Sequence, residues 1–138
     1  MLPSPTDPRP DAALLALRPA IAGQPAALPA PATVADFQNQ VLRPLLKLQH
    51  TVLATLLDDF ARDYRLPDPA THPAEAARQR QELLVRNTRL RATLIGAIVG
   101  LFTTAELAFY QQHRNELNRR LLELAAVRLG DGGNERNG

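Results

Sequence analysis

The 138-residue chain has no cysteine, which excludes disulfides, thiol catalysis and thiolate metal sites. A cysteine-free chain is compatible with any compartment and mildly favours a reducing one. Serine occurs once, at Ser4 in a proline-rich stretch, so a serine nucleophile within a folded body is excluded. Lysine also occurs once, as Lys47, and the basic set is otherwise arginine, which stays charged at any ordinary pH. Aromatic residues make up only 4%, leaving leucine and alanine to supply most of a core. No apolar run approaches the ~18 residues of a membrane span. The longest, Leu94 to Phe102, lies between Arg91 and Glu106. The N-terminal stretch does not match a secretory signal, because Asp7, Arg9 and Asp11 precede its first apolar run and Arg18 and Pro19 interrupt it. The expectation is a cytoplasmic protein with no membrane association.

What is present fits one compact domain. Hydrophobic residues make up 45% and charged residues 22%, and the net charge of +2 does not by itself imply a nucleic-acid partner. Residues 1–32 are rich in proline and alanine and are expected to form a flexible arm, with one short helix over 12–17 capped by Asp11 and stopped by Pro19. From Val34 to Arg65, apolar residues recur every three or four positions, which predicts a long helix with Thr33 as its N-cap. Pro44 falls inside this pattern, deletes one hydrogen bond and costs roughly 3 kcal/mol in a regular helix. It predicts a kink near Gln40 to Arg43, or two abutting helices. Pro73 suits the first turn of a second helix running to about Leu101. A third is expected over 105–129, with Leu107, Tyr110, Leu117, Leu121, Leu124 and Val127 inward and Gly130 just past its end. The tail, 130–138, is expected to be disordered. No sustained alternation of a strand is present.

The fold class expected is therefore all-α: an antiparallel bundle of three long helices over 33–129. At ~1.5 Å per residue such helices are roughly 35–50 Å long, and broad apolar faces on them are often completed by dimerisation. A homodimer is expected.

Two stretches define the joints of the bundle. Gly96 and Gly100 lie one turn apart on an apolar helix, where small residues let another backbone approach. Thr103 then reads as an N-cap, with Glu106 completing a capping box and Phe102 and Leu107 placed as a hydrophobic staple.

Polar residues on apolar faces are the strongest functional signal. Gln38 and Gln49 lie among leucines of the first helix, Asn87 on the stripe of the second, and Asn115 and Asn118 beside that of the third. Buried amides without partners cost ~1–3 kcal/mol, so these should pair with one another or with Arg86 and Glu116. They either fix register and oligomeric state or line a ligand pocket of Gln49, Arg86, Asn87, Glu116 and Asn118. A basic surface of Arg78, Arg80, Arg89 and Arg91 would suit phosphate groups. These arginines point several ways around the helix, however, and the interleaved aromatics of single-strand binders are missing. The three histidines, His50, His72 and His113, form no His-x-x-x-His or Glu-x-x-His pair, and Asp58, Asp59 and Asp63 lie beside Arg62. No metal, cofactor or catalytic constellation is expected.

The segment Phe37-Gln-Asn-Gln-Val-Leu-Arg-Pro-Leu-Leu-Lys-Leu-Gln49 resembles the opening of a family of small uncharacterised all-helical bacterial proteins. The resemblance continues through Arg86-Asn87, Gly96/Gly100 with Phe102-Thr103, Tyr110 and Glu116-Leu-Asn-Arg-Arg120, covering about 34–129. Some members of that group carry an automatic glyoxalase label. The glyoxalase fold is built from βαβββ modules with metal ligands on strands, and neither is legible here, so the resemblance implies no activity. The functional expectation is a non-enzymatic protein-interaction or scaffold module, with the arm available to a protein partner. The alternatives are a small-ligand-binding or regulatory bundle and, more weakly, nucleic-acid binding through the second-helix arginines.

Overall fold

The computed structural model describes residues 8–21 and 30–130 and is all-helical, with no strand among the described residues. Residues 131–138 of the tail expected over 130–138, and the parts of the arm at 1–7 and 22–29, lie outside the described residues. The helices are α1 (Asp11–Ala16), α2 (Val34–Phe37), a π turn (Gln38–Leu42), α3 (Arg43–Leu48), α4 (His50–Asp63), α5 (Pro73–Arg86), α6 (Thr88–Val99), α7 (Thr104–Gln112) and α8 (Arg114–Gly130).

Each run expected to be one long helix is interrupted. In the first, Pro44 cannot donate to Gln40, and the wider π turn immediately before it absorbs the mismatch, Arg43 N–H reaching back to Gln38 O. Gln49 (φ −92°, ψ 9°) then separates α3 from α4. The second run breaks at Asn87, which adopts an extended conformation and caps α6, its side chain accepting from Leu90 N–H at 2.9 Å. The third breaks at His113 (φ −130°, ψ 28°). Beyond it, in α8, Leu117, Leu121, Leu122 and Ala125 face the core, whereas Val127, expected inward, is 71% exposed. Val52 on α4 is likewise exposed.

The core joins all three runs. Leu42, Leu45, Leu53, Leu90, Leu94, Ile98, Leu117 and Leu121 are essentially fully buried. Four of the chain's six Phe and Tyr residues gather at one end. Phe37 stacks on Phe109 at 5.0 Å and meets Phe102 edge-on at 5.4 Å, and Phe102 meets Tyr110 edge-on at 5.6 Å. Helix α4 packs on α6, and α5 and α6 both pack on α8. Among the described residues the glycine pair admits no neighbouring backbone: a Cβ on Gly96 would meet nothing within 4 Å, and one on Gly100 would meet only Gly96 O, at 3.1 Å. Gly130 belongs to α8, where a Cβ would overlap the Gln81 amide that donates to Ala126 O.

Candidate functional site

The sharp turn between α6 and α7 concentrates opposite partial charges. The last carbonyls of α6 and the first N–H groups of α7 lack intrahelical partners, and the two helix dipoles present a negative and a positive end side by side. Thr103 caps α7 by accepting from Glu106 N–H, and Glu106 Oε1 accepts in return from Thr103 N–H at 2.8 Å, the capping box expected from the sequence.

The segment 8–21 lies across this corner and matches it charge for charge. Arg9 donates through Nε to Phe102 O at 3.0 Å and through Nη2 to Gly100 O at 3.1 Å. Asp11 Oδ1 accepts from Thr104 N–H at 3.0 Å and from its hydroxyl. Arg18 donates to both oxygens of Glu106, at 2.6 and 2.7 Å, and to Leu101 O at 3.3 Å. Cations thus meet the carbonyl end of α6, and an anion meets the N–H end of α7. The Arg18–Glu106 fork is nearly dry, with side chains 9% and 10% exposed, the geometry in which charge-assisted pairs are strongest. Helix α1 itself buries no residue; its Leu15 and the adjoining Leu17 are 52% and 55% exposed. Glu106 was legible as a capping residue, but its second partner lies 88 positions away, and no local pattern announces such a separation.

Of the five amide, acid and arginine residues expected to line one pocket, Arg86 and Asn87 border the same depression, and Gln49, Asn118 and Glu116 make contacts elsewhere. Gln49 Nε2 donates to Ala97 O at 3.1 Å, tying α4 to α6. Asn118 accepts from the Tyr110 hydroxyl at 2.7 Å. Glu116 is exposed and accepts from Arg120, which also donates to Gln38. Arg86 and Asn87 border an open depression of about 370 Å³ with Tyr64, Leu66 and Leu83. Gln38, Gln49, Asn87 and Asn118 thus each hydrogen-bond a backbone or side-chain group of the bundle.

The four surface arginines are each engaged by their own chain. Arg78 pairs with Glu75 and Glu82. The Glu75 carboxyl lies below the usual carboxylate range because Arg78, and then Gln79, donate to it. Arg80 pairs with Asp58 at 2.5 Å, Arg89 lies 5.3 Å over the Phe60 ring, and Arg91 donates to Leu84 O at 2.9 Å. Among the described residues, no group of three or more His, Asp or Glu is placed to hold a metal ion, and no helix is long and apolar enough to cross a membrane. No family model, curated protein or solved structure matches the chain.

Proposed function

We propose that the protein is a non-enzymatic interaction module that works as a homodimer and uses its N-terminal arm as the contact. The observation that carries this reading is the presentation of Leu15 and Leu17: both are about half exposed, on a segment anchored by Arg9, Asp11 and Arg18. Anchoring lowers the ordering cost of association, so apolar side chains held this way bind more tightly than the same residues on a free chain.

The platform beneath is an antiparallel bundle of three interrupted helical runs. Cross-links support this reading, because they step in opposite directions: Gln49 with Ala97, then Asp58 with Arg80. Gln81 with Ala126 ties the third run to the second.

Native mass spectrometry across micromolar concentrations tests the proposal. The expected result is a dimer that Leu15→Ser/Leu17→Ser converts to monomer, since neither substitution touches the anchoring arginines. A wild-type protein that stays monomeric overturns self-association, and a dimer unaffected by the double substitution overturns the arm as its contact.

A further inference from the structure

The cavity where α4, α5 and α8 meet holds an unusual set of unpartnered donors. It measures about 180 Å³ and is lined by His50, Ala54, Leu57, Asp58, Arg80, Arg128 and Leu129. Four buried side-chain polar atoms lack a hydrogen-bond partner among the described residues, and three of them belong to this lining: His50 Nδ1, Arg80 Nε and Arg128 Nε. Native interiors pair their buried polar groups almost without exception, and a cluster of orphans points to a missing water or ion. Here two of the three orphans are guanidinium N–H groups, which can only donate. The missing partner must therefore accept.

Charge narrows the choice. Asp58 offsets one of the two guanidinium charges through its contact with Arg80 Nη1 at 2.5 Å, but its side chain is half exposed. The Nε edges of both arginines are left without an acceptor. The cavity thus keeps an excess of positive charge even with the imidazole neutral. An anion satisfies both the charge and the donors, and a neutral ligand satisfies only the donors.

Size narrows it again. Pockets that enclose drug-sized ligands run to about 300–1,000 Å³, so a cavity of about 180 Å³ does not enclose a nucleotide. It offers the share of about six waters at ~30 Å³ each, enough for an oxyanion with a short substituent. The three orphaned atoms belong to three separate helices, the two donors to α5 and α8 and the imidazole nitrogen to α4. This suits a tetrahedral group with several acceptor oxygens better than a planar carboxylate, which a single guanidinium fork would satisfy.

We propose that His50, Arg80 and Arg128 form a binding site for a small phosphate, either the inorganic ion or the phosphate group of a small monoester. Arg80 and Arg128 donate through Nε, and His50 supplies a third polar contact. The site is independent of the N-terminal arm.

The test is isothermal titration of the full chain with inorganic phosphate, alongside thermal unfolding in phosphate and in sodium chloride of equal ionic strength. Saturable one-to-one binding is expected, with a rise in Tm that chloride does not reproduce. Arg128→Gln should weaken binding about ten-fold or more, the loss of one charge-assisted hydrogen bond. It should do so with far-UV circular dichroism unchanged. His50→Gln is the second variant, expected to weaken binding less while leaving the Arg80–Asp58 contact in place. Nε–H resonances of arginine that shift on titration in the wild type, with one missing in Arg128→Gln, would locate the ion. A response that chloride reproduces, or equal binding by wild type and Arg128→Gln, overturns the site. Acetate binding as tightly as phosphate overturns the phosphate assignment. A glycerol-type phosphate monoester binding more tightly than the free ion would identify the monoester as the source.

Discussion

Glu106 serves two structures with one carboxylate. Its Oε1 closes the capping box on Thr103, and both oxygens hold Arg18. The two roles are separable. Arg18→Ala and Glu106→Gln each disrupt the fork while leaving a residue that can still cap, and each should cost about 1–3 kcal/mol in denaturant unfolding. Glu106→Ala also removes the bond from Thr103 N–H to the carboxylate and should cost about 1 kcal/mol more. Equal stabilities for Arg18→Ala and wild type would show that the Arg18–Glu106 fork contributes nothing to the fold. Gly96 is the converse case, a residue whose freedom is not used: it is exposed, lies within α6 and leaves open space where a Cβ would be. Gly96→Ala should therefore stabilise the isolated chain by about 0.5–1 kcal/mol. A destabilisation would mean that another surface occupies that space.

At the level of elements, the breaks define the architecture more than the helices do. Asn87 ends one helix and caps the next. Asn87→Ala should cost about 1 kcal/mol, and Asn87→Asp should be near neutral, as measured by thermal unfolding. A neutral Asn87→Ala would imply that α5 and α6 merge into one helix. Helix α4 ends differently: Leu66 N–H bonds to Ala61 O and Arg65 N–H to Arg62 O, with Arg65 at φ 57°. This is the Schellman arrangement, normally closed by glycine, and here an arginine holds the left-handed position. The π turn before Pro44 keeps the apolar face of the first run continuous, so that Phe37, Val41, Leu42 and Leu45 all reach the core.

For the whole molecule, the aromatic cluster ties the first run to the α6–α7 corner. Phe37 is fully buried and touches two other phenylalanine rings. Phe37→Ala should cost about 3–5 kcal/mol, a large part of the ~5–15 kcal/mol that holds a domain together. Loss of the cooperative transition in calorimetry is the outcome to look for. The arm lies on the outer side of the same corner through Arg9, Asp11 and Arg18. Loosening the cluster should therefore also release the arm, which limited proteolysis around residues 8–21 would detect.

Local chemistry fixed the helical class, the cap at Thr33, the box at Thr103 and Glu106 and the disturbance at Pro44, because each depends on residues within about one turn of helix. The apolar stripe of α8 was less legible, since it lies beyond the break at His113, and nothing in the spacing of Leu117, Leu121 and Leu124 records that break. Asn87 was visible as a polar residue on an apolar face, but whether it pairs across the core or caps a helix depends on a backbone dihedral that packing sets. What only the tertiary structure decided is which distant residues meet. Arg18 finds Glu106 across 88 positions, and Arg80 of α5 and Arg128 of α8 are brought beside His50 of α4. Such encounters follow from how apolar faces stack, and charged residues leave no periodic mark of their partners in the sequence.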